Sequence, residues 1–193
     1  MTQETLFSSD MHFGHKNIIK YSNRPFANLE EMEEALIANH NSKVKPGDRW
    51  FHLGDFAFAG TGTIQRVLSR MNGEKYFLMG NHDNHKVLVQ MKECGHIHGL
   101  YNDWMGKIGN HSFHLYHFPI QSWNGAFHGT VHLHGHSHGH TESKDMLRWD
   151  VGVDCWNWFP VSYSELEPLI EERKEQLQKK DVCLDPGRPG HHN

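Results

Sequence analysis

The stretch Lys75-Tyr-Phe-Leu-Met-Gly-Asn-His-Asp83 decides how this chain is expected to fold. Residues 75–79 form a short run rich in apolar and aromatic side chains, and such a run predicts a buried strand. Gly80 ends the run, and the three residues after it carry amide, imidazole and carboxylate groups. The stretch therefore predicts a strand with candidate site residues directly beyond its carboxyl end.

Two earlier segments have the same arrangement. Residues 5–9 predict a strand that ends at Asp10-Met-His12, and residues 49–53 predict another that ends at Gly54-Asp55. In an open α/β sheet, the loops beyond the carboxyl ends of the strands converge on one crevice. We therefore expect three separate segments to bring oxygen and nitrogen ligands to one place.

Helices are predicted between these strands, and shorter strands are predicted after them. The capping box Asn28-Leu-Glu-Glu31 predicts the start of one helix, and Ser162-Tyr-Ser-Glu165 predicts the start of the last. Other predicted helices span residues 61–71 and 84–93, and the later strands span residues 99–104, 111–117, 130–134 and 147–153. This order predicts an α/β (α+β) fold in which two sheets are sandwiched between helices.

The composition is that of an ordinary globular protein and restricts the classes of partner. The 193 residues carry a formal net charge of −4, so no strong nucleic-acid-binding surface is expected. No signal sequence or long apolar run is visible, and the three cysteines form no C-x-x-C pair. We therefore expect a reduced, cytoplasmic protein without a membrane segment. Residues 1–184 are expected to form one domain, and residues 185–193 a flexible tail.

Two segments in the second half complete a set of candidate metal ligands. His117 ends a predicted strand, and Gly135-His-Ser-His138 follows another. The full set is Asp10, His12, Asp55, Asn81, His117, His136 and His138. One zinc usually takes four ligands, so these groups suit two ions about 3.5–4 Å apart that share a carboxylate, for which Asp55 is the natural candidate. Nitrogen and oxygen donors without sulfur favour Mn, with Fe, Zn, Ni or Co as alternatives, over Ca or Mg.

These motifs, in this order, resemble those of the calcineurin-like metallophosphoesterases. The matching blocks are Asp10-x-His12, Gly54-Asp55, Gly80-Asn-His-Asp83, His117 and Gly135-His-x-His138. The stretches His12-Phe-Gly-His-Lys-Asn-Ile-Ile19 and Asn23-Arg-Pro-Phe26 resemble a small bacterial and phage subgroup. The resemblance implies a four-layer α/β/β/α sandwich with two mixed sheets flanked by helices.

The resemblance also implies a role for each site residue. Asp10, His12 and His138 would hold one ion, Asn81, His117 and His136 would hold the other, and Asp55 would bridge them. His82 would face the substrate and protonate the leaving oxygen, and Asp83 would orient its imidazole. Two divalent ions would lower the pKa of a bridging water so that hydroxide attacks phosphorus near neutral pH. The implied activity is hydrolysis of a phosphate mono- or diester, and a small nucleotide or diester is the expected substrate.

Several assignments keep an alternative. The second ion could use a histidine near His117 instead, although His117 is favoured by its place at a strand end; the candidates are His111, His114 and His128. Three residues past the first motif could bind phosphate or be ordinary surface charges, namely His15, Lys16 and Arg24. Trp123 and Phe127 could stack a nucleobase, but packing is the simpler expectation.

Other functions fit the motifs less well. A phosphoprotein phosphatase of the same family and a metal-binding scaffold without catalysis stay as alternatives, and His82 beside a full ligand set favours an enzyme. Metallo-β-lactamases need His-x-His-x-Asp-His, and the stretch His134-Gly-His-Ser-His138 lacks that acid. HD-type phosphohydrolases place His-Asp inside helices, whereas His82-Asp83 follows a predicted strand. The sequence therefore predicts a metal-dependent phosphoesterase.

Overall fold

The computed structural model describes residues 3–141 and 143–184. The strands are β1 (Thr5–Ser8), β2 (Arg49–His52), β3 (Glu74–Leu78), β4 (Gly99–Tyr101), β5 (Asp103–Ile108), β6 (His111–Tyr116), β7 (Val131–His134), β8 (Arg148–Asp150) and β9 (Val161–Ser162). The α-helices are α1 (Ile18–Tyr21), α2 (Leu29–Lys43), α3 (Thr61–Leu68), α4 (His85–Glu93) and α5 (Tyr163–Leu184). The flexible tail predicted for residues 185–193 lies outside the described residues.

The first sheet places β1, β2 and β3 side by side. Its order is β4-β3-β2-β1-β9, and every neighbouring pair is parallel except β1 with β9. The register pairs Phe7 with Phe51, and Phe51 with Tyr76. Because parallel strands end at the same edge of a sheet, the segments that follow β1, β2 and β3 emerge close together.

The second sheet packs face to face with the first. Its order is β5-β6-β7-β8, antiparallel between β5 and β6 and parallel elsewhere. Phe7 and Phe51 from the first sheet share one apolar core with Phe113 and Leu133 from the second. This core joins the two sheets, because apolar side chains on facing strands lose their contact with water together.

Helices cover the opposite face of the first sheet. Trp50 and Phe77 lie in a second apolar core with Leu36 of α2 and Leu88 of α4. The long helix α5 adds Leu166 to the core between the sheets. The prediction of two mixed sheets flanked by helices is therefore confirmed. None of the helices in the described part is long and apolar enough to cross a membrane.

The prediction of a single strand over residues 99–104 is wrong. This segment forms two strands, β4 and β5, which belong to different sheets and are separated by Asn102 alone. Side-chain periodicity does not show where a chain leaves one sheet for another, because both halves keep a strand-like sequence. The two-residue strand β9, which pairs with β1, is likewise too short to give a periodic signal.

Candidate metal centre

The candidate ligands lie where strands of both sheets end. Asp10 and His12 follow β1, Asp55 follows β2, and Asn81 follows β3. The remaining three follow the central strands of the second sheet: His117 after β6, and His136 and His138 after β7. The fold thus brings together five segments that are far apart in the sequence.

The side chains form two adjoining groups that could each hold a metal ion. One group is Asp10, His12 and His138, and the other is Asp55, His117 and His136. Within each group the ligand atoms lie within 4.8 Å of one another. Asn81 joins the second group, because its Oδ1 lies 3.0 Å from His117 Nε2.

Asp55 lies between the two groups. Its Oδ2 is 3.8 Å from His12 Nε2 in the first group and 3.5 Å from His117 Nε2 in the second. Burial favours the neutral acid, but His117 and the backbone N–H of His82 outweigh it, and the pKa of Asp55 falls to about 2. The carboxylate is therefore ionised at neutral pH, as a ligand shared by two cations requires.

The backbone around these ligands is strained. Five of them have a positive φ, a region that is rare for non-glycine residues; they are Asp10 (57°), His12 (54°), Asp55 (56°), His136 (66°) and His138 (45°). Such a conformation costs roughly 1–3 kcal/mol per residue and persists only where the surroundings enforce it. Here Asp10 donates its N–H to Gly54 O at 3.0 Å, and His136 donates its N–H to Asp10 Oδ2 at 2.9 Å. The loops therefore hold one another in the strained form that turns the ligands inward.

Gly54 allows three of these loops to meet. Its φ is +98°, and a Cβ at this position would lie 2.6 Å from His117 Nδ1 and 2.7 Å from Gly80. Any other residue would push the second-sheet ligand away from the first sheet. His117 Nδ1 lies 2.8 Å from Leu53 O, so this nitrogen carries the proton and Nε2 is the one that faces the centre.

The first group contains buried polar atoms that fit a cation. Asp10 Oδ1 and both ring nitrogens of His12 are buried and have no hydrogen-bond partner among the described residues. Burial raises the pKa of Asp10 to about 7 and lowers the pKa of His12 to about 3. An unsatisfied buried carboxylate beside a neutral imidazole is costly alone, and a divalent cation would satisfy both. The residues present therefore fit a metal ion.

Asp154, which is not among the ligands predicted from the sequence, supports the first group. Its Oδ2 accepts a hydrogen bond from His138 Nδ1 at 2.8 Å, which leaves Nε2 of that ring for a metal. Burial opposes its ionisation, but His138 and Arg24 outweigh this effect and lower the pKa of Asp154. A carboxylate that fixes the orientation of a ligand histidine is a common support of metal sites.

The sequence leaves Arg24 as either a phosphate ligand or an ordinary surface charge, and the structure places it inside the protein. Its side chain is buried, and its Nε and Nη2 donate to the two carboxylate oxygens of Asp154 at 3.0 and 2.8 Å. It also donates to the carbonyl oxygens of Asp10 and Met11 at 2.7 and 3.1 Å. All of its nitrogens are thus engaged within the protein, and Arg24 braces the first ligand loop.

Asp83 contacts the backbone of two ligand loops. Its Oδ2 accepts hydrogen bonds from the N–H groups of Asp55 and Gly80 at 2.8 and 2.9 Å, and its Oδ1 accepts from Phe56 N–H at 2.9 Å. The carboxylate thus joins the loops after β2 and β3 through backbone amides, and its role in orienting the His82 imidazole stays a prediction.

His82 lies at the mouth of the centre. Its backbone N–H donates to Asp55 Oδ1 at 2.8 Å, and its ring centroid is 5.6 Å from that of His12. The exposed imidazole borders an open groove that is also lined by Phe58, Asn84 and His85. His82 can therefore reach a substrate in this groove without being a metal ligand.

The remaining candidate residues differ in how close they lie to the centre. His15 lies at the mouth, with its ring centroid 5.5 Å from His12, and Lys16 is exposed next to it in the chain. Two alternatives to His117 are engaged elsewhere, since His111 contacts Tyr163 and Glu171, and His114 contacts Asp103. The third, His128, is exposed and belongs to neither ligand group.

The two aromatic residues considered for base stacking differ in burial. Trp123 is buried, and its Nε1 donates to Thr130 O at 2.9 Å, as expected for a packing residue. Phe127 is 96% exposed in a short 3₁₀ turn over Ala126–His128. The structure therefore gives Trp123 a packing role and leaves the Phe127 ring in solvent.

Asp154→Asn is expected to weaken Mn²⁺ binding about 10–100-fold, the usual effect of losing the support of a ligand histidine. The neutral amide still accepts from His138 but neither polarises the imidazole nor pairs with the charge of Arg24. The affinity can be measured by competition with a chelating dye. Asp145→Asn, which removes an exposed carboxylate paired with Lys180, is the control. Equal Mn²⁺ affinity in wild type and Asp154→Asn would contradict the assigned role.

Comparison with known proteins gives a consistent result. The family profile of calcineurin-like phosphoesterases matches residues 4–183. The chain is 35% identical over 176 residues to the uncharacterized protein MJ1445 of Methanocaldococcus jannaschii, covering 86% of this chain and 90% of that protein. It is 34% identical over 82 residues to the Gene 66 protein of Mycobacterium phage L5, covering 41% of this chain and 39% of that protein. The crystal structure of AQ665, a protein of unknown function from Aquifex aeolicus, is similar with a TM-score of 0.70 and 25% identity over 87% of this chain and all 100% of that chain.

Proposed function

The chain belongs to the calcineurin-like phosphoesterase family, and from this premise we propose that it hydrolyses phosphate mono- or diesters at a centre of two divalent ions. Asp10, His12 and His138 would hold one ion, and Asn81, His117 and His136 the other. Asp55 would be shared between them. We propose Mn²⁺ as the metal, with Fe, Zn, Ni or Co as alternatives, because the donors are oxygen and nitrogen only.

One observation supports this proposal more strongly than any other. The two ligand groups meet at a single ionised oxygen, Asp55 Oδ2, which lies within 3.8 Å of a histidine nitrogen in each group. A single-ion site would need only one of the groups and would leave the ligand atoms of the other without a cation. Two ions sharing one carboxylate satisfy both groups at once.

The protein's own residues would position the ester and handle the proton. Two divalent ions in such a centre supply an activated water and neutralise the charge on the phosphoryl oxygens. The exposed imidazole of His82 would donate a proton to the leaving oxygen, since its ring borders the groove and its backbone is anchored on Asp55. Asp83 and Asp154 would keep the ligand loops and the His138 ring in place.

The groove favours small substrates. It is an open cleft of about 590 Å³ beside His82, of a size that suits a small molecule. The formal net charge of −4 supplies no extended attraction for a polyphosphate chain. We therefore propose a small nucleotide or a diester of similar size as the substrate.

Hydrolysis of p-nitrophenyl phosphate and bis(p-nitrophenyl) phosphate tests the proposal. The protein, stripped with EDTA and reloaded with Mn²⁺, is expected to release p-nitrophenol from at least one of them, and the stripped protein is expected to be inactive. Metal content is measured on the same sample. If the protein binds two ions but hydrolyses neither ester with any of Mn, Fe, Co, Ni and Zn, the enzyme proposal is contradicted and the chain is a metal-binding scaffold.

A further inference from the structure

Aromatic rings continue outward from the candidate metal centre to the protein surface. The ring centroid of His15 is 5.3 Å from that of Phe58, 6.1 Å from that of Tyr21 and 6.2 Å from that of His82. Phe58 also lies 6.2 Å from His82. The rings of Tyr21, His15 and Phe58, hereafter the aromatic rim, therefore border the mouth of the centre beside the proposed proton donor.

Two rings of the aromatic rim are exposed. Phe58 is 60% exposed and Tyr21 is 74% exposed, whereas most other large aromatic side chains are in the two cores. An exposed phenyl ring forgoes the stabilisation that burial would give it, about 25 cal/mol per Å² of apolar surface. Phe58 and His82 line the same groove, so the exposed phenyl ring lies beside the proposed proton donor.

The aromatic rim is held by rigid neighbours. Phe58 donates its N–H to Phe13 O at 2.8 Å, which joins the loop after β2 to the loop after β1. Gly14 has a φ of +81°, and a Cβ there would lie 2.8 Å from Ala59 Cβ and 2.9 Å from Phe58 O. Behind Tyr21, Ser22 Oγ lies 3.4 Å from His138 Nδ1. The backbone segments that carry the rings are thus fixed before a ligand arrives, which lowers the entropy cost of binding.

A nucleobase is the group that best fits this surface. Flat aromatic side chains stack on the π-face of any base, and this stacking does not distinguish one base from another. The exposed Lys16 and Lys20 are on the same segment as His15 and Tyr21 and add positive charge for a phosphate. A long nucleic acid would need a basic track that a chain of net charge −4 does not offer, so a single nucleotide unit fits better.

We propose that the aromatic rim is a stacking subsite for the base of a nucleoside phosphate ester whose phosphate lies at the metal centre. This assignment rests on the proposed function, because the ester must reach both places at once. Phe58 supplies the main stacking face inside the groove, Tyr21 borders the outer side, and His15 connects the rings. His15, a candidate phosphate ligand in the sequence, contacts the base side of the substrate.

Binding of two hydrolysis-resistant phosphonates tests the subsite separately from catalysis. The 5′-phosphonate analogues of AMP and of ribose 5-phosphate are titrated calorimetrically into the Mn²⁺-loaded protein. The AMP analogue is expected to bind about ten-fold more tightly, a difference of about 1.4 kcal/mol. Phe58→Ala is expected to remove most of this difference without changing the affinity for the ribose analogue, and Tyr21→Ala is expected to reduce it in part.

Matched variants and alternative ligands complete the test. Phe58→Trp is expected to keep the preference for the base, and Phe127→Ala, which removes another exposed phenyl ring, is expected to leave it unchanged. Equal affinity for the two analogues in wild type, no binding of the AMP analogue, or tighter binding of the phosphonate analogue of phosphotyrosine would overturn the subsite. Because binding is measured without turnover, a protein that binds the base but hydrolyses no ester would contradict only the proposed function.

Discussion

Asp55→Asn is expected to empty both metal positions and to lower kcat/KM about a thousand-fold or more. The substitution replaces the ionised Oδ2 between His12 and His117 with a neutral amide, so both ligand groups lose the same negative charge. Bound ions supply several kcal/mol of transition-state stabilisation, and each 1.36 kcal/mol is a ten-fold change in rate. Among the described ligands, Asp55 is the carboxylate paired with a histidine of each group, so its loss should cost more than any other single ligand change.

Metal content and kinetics measured on one preparation test this expectation. The number of Mn²⁺ ions per chain is expected to fall from two towards zero in Asp55→Asn, together with turnover of bis(p-nitrophenyl) phosphate. Asp103→Asn is the matched control, because it neutralises an exposed carboxylate near His114 on the second sheet. If the Asp55→Asn variant keeps two ions per chain and loses only turnover, the proposed bridging role of Asp55 is contradicted.

The position of the centre could be predicted from sequence because it depends on local order. Each ligand motif comes directly after a strand, and strand ends are visible as the point where an apolar run meets a polar turn. Parallel pairing then brings Asp10, Asp55 and Asn81 to the same edge without any knowledge of tertiary contacts. The same logic placed His117 ahead of its neighbours, since it alone stood at a strand end.

The roles of Arg24 and Asp83 could not be predicted in this way. The partner of Arg24 is Asp154, which is 130 residues away in the chain, and no local pattern links the two. An arginine beside a metal motif is equally consistent with phosphate binding and with bracing, and only the tertiary contact distinguishes them. Asp83 is adjacent to His82 in sequence, but its carboxylate is directed at the loop that follows β2.

These contacts share a physical cause. Five ligands have strained left-handed backbones, and such strain needs fixed partners nearby. Three carboxylates that are not in either ligand group provide these partners. Asp83 accepts hydrogen bonds from the N–H groups of Gly80 and Asp55, and Asp154 accepts one from His138. Asp150 accepts from Gly139 N–H at 2.9 Å and from Ser137 Oγ at 2.8 Å. The geometry of the candidate metal centre is thus maintained by a surrounding shell of acids that the motif pattern alone does not separate from candidate ligands.

His82→Gln is expected to keep both ions and to slow turnover of alkyl phosphate esters about 10²–10⁴-fold, the usual contribution of a positioned proton donor. His82 is outside both ligand groups, and its contact with the centre is made by its backbone N–H, which glutamine retains. An alkoxide leaves poorly without a proton, whereas p-nitrophenolate needs little help. The loss should therefore be much smaller for p-nitrophenyl esters than for alkyl esters.

The ratio of these two losses separates proton donation from a structural role. Metal content, kcat and KM are measured for an alkyl and an aryl ester of the same phosphate, in His82→Gln and in the neighbouring exposed variant His85→Gln as control. His85→Gln removes a ring from the same groove and is expected to affect both esters equally and weakly. If His82→Gln loses metal, or slows both esters by the same factor, then His82 acts by holding the loop after β3 and the proton must come from elsewhere.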